Sequence, residues 1–435
     1  LNVPVLKAIK SRDRSEQERR LSPDGLPSEK VYYQVAMPEL QGASQTLVIA
    51  SAGKTIDHLA SGIRIKPIEV VNTMVDKLVA RISGWQDLHS LDNADKKVAV
   101  IYYNHPPGRH NIGADNLDVP ASLWELLNRL KVQGYNIGVL PESQDDLLDL
   151  LQEKGVNLPN NYDALASMAP KIIKVDIDSY QHYFESLPTS IQKEMEFGPF
   201  GYLHEQLQAA VAASLIDRAK DTLDHTYKEM LHLLEGVEHP ARARALSLLQ
   251  QLEQNYQTCF ANAETACWQQ SFKIVQALQT TGIEGLGGWG KAPGKVMVHQ
   301  GELLLPGLQF GNVFLGPQPP RGWEINEELL HANLAFPPPH QYLAFYHYLK
   351  DIFKADALIH VGRHSTYEFL PRRSVGLLED DYSLIIAGNI PGIYPYIVDG
   401  VGEGIQAKRR GLAVMVDHLT PPLKHTPLYD DLLQL

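Results

Sequence analysis

The segment Ala357-Leu358-Ile359-His360-Val361-Gly362-Arg363-His364-Ser365-Thr366-Tyr367-Glu368-Phe369-Leu370-Pro371 sets two imidazoles and a carboxylate in one short stretch. An apolar strand there delivers His360 at its carboxyl end, where open α/β sheets collect their ligands. His364 and Glu368 follow in the turn and first helical residues. Imidazole and carboxylate ligate divalent metals or move protons near neutral pH, so His360, His364 and Glu368 are candidates for metal handling and for catalysis. The spacing is not His-Glu-x-x-His, which argues against a zinc protease. The plainer alternative is a satisfied core histidine at His360 and a loop cap at His364.

A second group lies between Tyr103 and Pro120, in Asn104-His105-Pro106-Pro107-Gly108-Arg109-His110-Asn111-Ile112-Gly113-Ala114-Asp115-Asn116-Leu117-Asp118. Cations and imidazoles on a βα loop ahead of a helix suit an anionic or metal-bearing ligand, which makes Arg109 and His110 candidate binding residues. A solvated, turn-rich connection uses the same residue types. The third group is the glycine-rich Val398-Asp399-Gly400-Val401-Gly402-Glu403-Gly404, leading to Lys408-Arg409-Arg410. Carboxylates or phosphates fit such a loop, although cations in a last helical turn are also favoured by the helix dipole alone. Gly285-Leu286-Gly287-Gly288-Trp289-Gly290-Lys291-Ala292 imitates a Walker A loop, but Ala292 has no hydroxyl for magnesium and Pro293-Gly294 leads into a strand, so nucleotide binding is rejected there.

These groups need a scaffold. The chain has 435 residues, 44% of them hydrophobic, enough for about three packed domains. A net charge of −12 argues against nucleic acid and anionic membranes as general partners. No run reaches the roughly 18 apolar residues of a membrane span, and no signal peptide opens the chain. Cys259 and Cys267 are too few for a disulfide framework or a paired-cysteine zinc site, and two quiet thiols fit a reducing, cytoplasmic setting. The pattern predicts strands at 31–36, 45–50, 98–103, 136–140, 296–299, 313–315, 357–361, 383–387 and 412–417. Helices are expected at 67–82, 120–132 with Asp118 as N-cap, 142–151, 207–234, 241–256, 341–353 and 403–410. The expected class is α/β, with two or more parallel-sheet domains and a helical insertion. Its parts are the end of an upstream α/β domain (1–94), an α/β domain (95–200), a helical subdomain (201–281) and an α/β domain carrying the His/Glu group (282–435).

Taken together, Gln309-Phe310-Gly311-Asn312-Val313-Phe314, Gly316-Pro317-Gln318-Pro319, His360-Val361-Gly362-Arg363-His364, Glu368-Phe369-Leu370-Pro371, Gly388-Asn389-Ile390-Pro391-Gly392, Ala407-Lys408-Arg409-Arg410 and His418-Leu419-Thr420-Pro421-Pro422 resemble the cobaltochelatase and magnesium-chelatase large-subunit family. Gln34-Val35-Ala36-Met37-Pro38-Glu39 and Leu117-Asp118-Val119-Pro120-Ala121-Ser122 are similar to family signatures in the first half. Members exceed a thousand residues, so the chain resembles a central piece. It departs from the family's His-Gly-Thr-Leu-Glu at His364-Ser365-Thr366-Tyr367-Glu368 and from Pro-Gly-Lys at Pro371-Arg372-Arg373, changes that suit an altered substrate or direction.

The resemblance implies insertion of cobalt or another divalent metal (magnesium, iron) into a tetrapyrrole, with ATP used only by partner ATPase subunits. It leaves two alternatives: removal of iron from haem, as in haem-utilisation paralogues, and non-catalytic tetrapyrrole carriage. His360, His364 and Glu368 would then hold the metal in transit and move pyrrolic protons. Arg109, His110, Arg372, Lys408 and Arg409 would bind ring carboxylates.

Overall fold

The run Val98–Tyr102 is apolar at every position because both of its faces are covered. Val98, Val100 and Tyr102 pack with Val119, Leu123, Leu127, Leu147 and Leu151, whereas Ala99 and Ile101 pack with Tyr342, Leu343, Phe345 and Phe314. This period-two division puts the helices Val119–Val132 and Gln144–Lys154 on one side of the sheet and His340–His347 on the other. The computed structural model describes residues 3–104, 107–113, 117–159, 161–262, 265–321, 336–362, 370–395 and 401–417.

Val98–Tyr102 is a middle strand of a six-stranded sheet, in the order Leu308–Phe310, Val313–Pro317, Val98–Tyr102, Ala357–Val361, Gly392–Pro395, Ala413–Val416. All neighbours are parallel except the hairpin partners Leu308–Phe310 and Val313–Pro317. The class is α/β with a parallel sheet, as expected. The ranges 95–200 and 282–435, expected to build separate sheets, share this one: the first contributes Val98–Tyr102 and the second the other five strands. A smaller sheet joins them again, with Ile173–Val175 pairing antiparallel to Glu302–Leu305. Between the two lie the helices Pro199–Ala212, Ile216–Gly236, Arg242–Asn262 and Thr265–Gln279, around a core of their own that includes Leu207, Leu234, Leu249, Tyr256 and Val275.

Several expected elements differ. Residues 136–140 are not a strand: the 308–317 hairpin already takes that edge of the sheet, and Asn136 accepts from the Asn312 amide at 2.8 Å. Residues 31–36 are helical, within Ser28–Val31 and Tyr32–Ala36, and only Val35 of the second piece is buried. A β-rich composition there lacks the half-buried surface that gives β propensity its force. The expected helix at 67–82 is a strand, Ile68–Val70, followed by a helix from Asn72 to Ser90. Tyr382–Ala387 is a helix with every residue buried, the case in which periodicity cannot separate helix from strand. Cys259 and Cys267 are joined in a disulfide, because helices Arg242–Asn262 and Thr265–Gln279 pack side by side. Asp118 caps its helix as predicted, accepting from the Ala121 amide at 3.0 Å. Among the described residues no helix is long and apolar enough to cross a membrane.

Candidate functional site

The strands ending at Tyr102, Pro317 and Val361 finish level, since Tyr102 is in register with Pro317 on one side and with Val361 on the other. Helix Val119–Val132, which follows the first, and helix His340–His347, which follows the second, cover opposite faces of the sheet. Connections that part to opposite faces open a crevice at the carboxyl edge, the place where such sheets bind ligands. Both loops singled out in the sequence start at this edge, from directly paired strands.

His360 is in register with Ile101, and its ring therefore points to the face beneath helix His340–His347. It is 1% exposed, its Nε2 lies 3.5 Å from the Tyr346 hydroxyl, and its ring meets Tyr394 edge-on at 6.4 Å. Burial pushes its pKa down to about 3, so the imidazole is neutral, the form that ligates metals. The Tyr394 hydroxyl donates to the Gly362 carbonyl at 3.0 Å and the ring is fully buried, which makes it part of the core. His364 and Glu368, with Tyr367 and Phe369, lie outside the described residues, as does His105.

On the loop that follows Val98–Tyr102, His110 is exposed and Arg109 half-buried; Lys171 holds the Glu153 carboxyl below its usual range, with smaller contributions from Lys154 and Arg109. Asn104 ties this loop down. Its Nδ2 donates to the carbonyls of Gly108 (2.9 Å) and Asn111 (3.0 Å), and its Oδ1 accepts from the Asn157 amide (2.7 Å). Asn157 donates in turn to the Gln318 carbonyl at 2.7 Å. The Gln318 side chain donates to the Tyr342 hydroxyl (2.6 Å) and accepts from the Tyr346 hydroxyl (2.8 Å). Residue types alone give Asn157, Gln318 and Tyr346 no functional role. The available signal was Gln318 itself, a polar residue between two prolines at the end of an apolar strand.

The other candidate cations are placed elsewhere. Helix Val401–Arg409 leads into strand Ala413–Val416, so Lys408 and Arg409 sit near the start of that strand, at the amino edge of the sheet. Lys408 is half-buried, and Arg409 holds Glu39 through two nitrogens at 2.8 and 3.1 Å. Arg372 is bound to Glu194 at 2.9 Å and to Asp380 at 2.8 Å, with its guanidinium 4.6 Å from the centre of the Tyr202 ring. Arg373 pairs with Asp380 and Asp381, and Arg410 donates to the carbonyls of Arg372 and Arg373. These guanidiniums are engaged by the protein's own carboxylates and carbonyls. Arg372 and Arg409, expected to take ring carboxylates, are here paired with Glu194, Asp380 and Glu39. Among the described residues no three His, Cys, Asp or Glu side chains are grouped to hold a metal.

Buried neutral histidines make the fold acid-sensitive. His340 accepts from Tyr180 at Nδ1 (3.0 Å) and donates from Nε2 to the Gly290 carbonyl (2.9 Å); burial takes its pKa to about 4, although the Gly290 bond works the other way. Both His340 and His360 fall below the unfolded value of about 6.5, so the unfolded chain binds protons that the folded one refuses. The stability they contribute is complete above about pH 6.5 and declines as pH falls toward the folded values. Urea unfolding at pH 7.5 and 5.5 should differ by about 2–3 kcal/mol, with His340→Gln reducing the difference by about half. Equal values at the two pH values would exclude this linkage.

The CobN/Magnesium Chelatase family model matches residues 1–216 and 221–435. The aerobic cobaltochelatase subunit CobN of Pseudomonas aeruginosa is 28% identical over 438 residues, covering 100% of this chain and 27% of that protein. A magnesium-chelatase subunit of Chlorobaculum parvum is 27% identical over 410 residues, covering 94% of this chain and 24% of the relative. The chain thus spans about a quarter of the length of these curated relatives. The solved catalytic subunit of cobaltochelatase from Mycobacterium tuberculosis shares the fold, with a TM-score of 0.63 at 24% identity over 97% of this chain and 27% of that one. A model match along nearly the whole chain, on a sheet that carries the resembling motifs at its strand ends, establishes that this protein belongs to the CobN/magnesium-chelatase family.

Proposed function

We propose that the chain is the part of a chelatase large subunit that binds a tetrapyrrole at the carboxyl edge of the six-stranded sheet, where a divalent metal is exchanged for the two pyrrolic protons. The observation that carries this reading is the direct pairing of the strands that end at Tyr102 and Val361. It starts the Arg109-His110 loop and the His360 segment from adjacent points, as a flat ring with two walls requires. Neutral His360 offers a metal ligand or hydrogen-bond partner at low desolvation cost. His364 and Glu368, a few residues further on, are proposed as the second ligand and as the proton acceptor. Arg109 and His110 remain the proposed contacts for ring carboxylates, while Arg372 and Arg409 take structural parts. Lys408, at the other edge, contacts the ring only if the ligand reaches around the sheet. ATP hydrolysis belongs to partner subunits in this reading, and cobalt is the first metal to test.

Absorbance titration of the complete large subunit with metal-free deuteroporphyrin and with haem tests it. The expected result is a shifted Soret band with the metal-free ring at micromolar concentration and weaker binding of haem. No shift with the metal-free ring, or tighter binding of haem, would replace insertion by iron removal or carriage.

A further inference from the structure

The two walls of the proposed site are connected through Gln318, which follows a third strand. Gln318 follows strand Val313–Pro317, and its backbone amide donates to the Tyr102 carbonyl at 2.7 Å, which fixes it at the sheet's carboxyl edge. From there it reaches in two directions. Its Oε1 accepts from the Tyr346 hydroxyl at 2.8 Å, and that hydroxyl lies 3.5 Å from His360 Nε2. Its carbonyl accepts from Asn157, whose amide is held by Asn104, the residue that clamps Gly108 and Asn111. Gln318, Asn104, Asn157 and His360 are each at most 5% exposed and Tyr346 is 3% exposed. Buried hydrogen bonds of this kind are costly to leave unmade, so they restrict the groups they join to one arrangement. Apolar packing alone would fill the space equally well, yet it would not fix the orientation of an imidazole or of a loop carbonyl.

We propose that Gln318 is a positioning residue that locks His360, through Tyr346, and the 107–111 turn, through Asn157 and Asn104, at one fixed separation. The proposal rests on the chelatase reading for its activity test. A ring held between walls at the wrong spacing still binds through apolar contact, but the metal and the pyrrole nitrogens no longer meet the groups that exchange them. Loss of either arm should therefore lower kcat and leave KM for the ring nearly unchanged. The two arms serve a single distance, so once one is cut, cutting the other should add little.

A double-mutant cycle on the complete enzyme, with all chelatase subunits, metal-free deuteroporphyrin and Co²⁺, reads this directly. Tyr346→Phe removes only a hydroxyl, and Asn157→Ala removes the link to the Gln318 carbonyl. Each is expected to reduce kcat about tenfold with KM within about twofold, and the double variant to stay near the same tenfold, where independent sites would give about a hundredfold. A role confined to stability would lower the melting temperature and the active fraction of each variant, with losses that multiply. Wild-type kcat in either single variant, or multiplying losses, would overturn the proposal. Should Tyr346→Phe fail to fold, Gln318→Met cuts the same arm. Absence of activity in the wild-type enzyme would instead overturn the chelatase reading itself.

Discussion

Glu368→Gln is expected to lower the rate of metal insertion by about 10²–10⁴-fold, the usual contribution of a positioned acid or base, while the affinity for metal-free ring changes little. In the proposed reaction two protons leave the pyrrole nitrogens as the metal enters, and the Glu368 carboxylate would accept them one at a time, releasing the first to solvent before taking the second. An amide of the same shape accepts hydrogen bonds without taking a proton. Under the proposed function ring affinity would depend instead on burying a large apolar surface and on peripheral cations such as Arg109, neither of which the substitution alters. The check is the absorbance change of the ring with metal and all partner subunits present, alongside a titration without metal. Insertion at the wild-type rate would remove Glu368 from the mechanism and leave His364 as the remaining proton acceptor in the segment.

The largest stability effect is expected at Asp381. Its carboxylate is fully buried and accepts from the Leu378 amide (2.7 Å), the Arg373 amide (3.0 Å) and the Arg373 guanidinium (3.2 Å). Removing it takes one of two carboxylates from the Arg373 guanidinium and leaves the buried Leu378 and Arg373 amides without their acceptor, and Asp381→Ala should destabilise the fold by about 3–5 kcal/mol. Asp380 shows the electrostatics of the cluster: burial would raise its pKa, but Arg373, Arg372 and Arg20 outweigh that and hold it below its usual value. The stability from this depressed carboxyl is present above the unfolded value of about 4 and is lost as pH falls through the folded one. Urea denaturation of the variant at neutral pH is the measurement, and a loss below about 1 kcal/mol would show that the cluster relaxes around the gap.

The contrast between Arg372 and His360 shows how far residue types carry an argument. Both are candidate ligand-binding residues, His360 from its place at a strand end and Arg372 through the family resemblance. Arg372 was legible as a cation, but its partners Glu194 and Asp380 come from a helix far away in the chain and from a later turn, and no local pattern announces that pairing. The strand that delivers His360 was legible because apolar residues alternate over two covered faces, a signal contained in five consecutive residues. The same kind of short apolar run failed at 383–387, where complete burial removes the periodicity that distinguishes helix from strand.

Local patterning therefore determined the α/β class, most of the helices and strands, the Asp118 cap and the motifs that resemble the chelatase family. Each of these depends on interactions a few residues apart, or on residue runs that can be read in order. Tertiary structure alone decided that 98–102 and 313–416 share one sheet, and that the 308–317 hairpin displaces 136–140 from its edge. It also decided that Gln318 bonds to both Asn157 and Tyr346, and that Lys408 and Arg409 lie at the opposite edge from His360. The physical reason is the same in each case. Strand order and buried polar pairing are set by competition among segments hundreds of residues apart for the same surfaces and hydrogen-bond partners, and a sequence read in order carries no record of which segment wins.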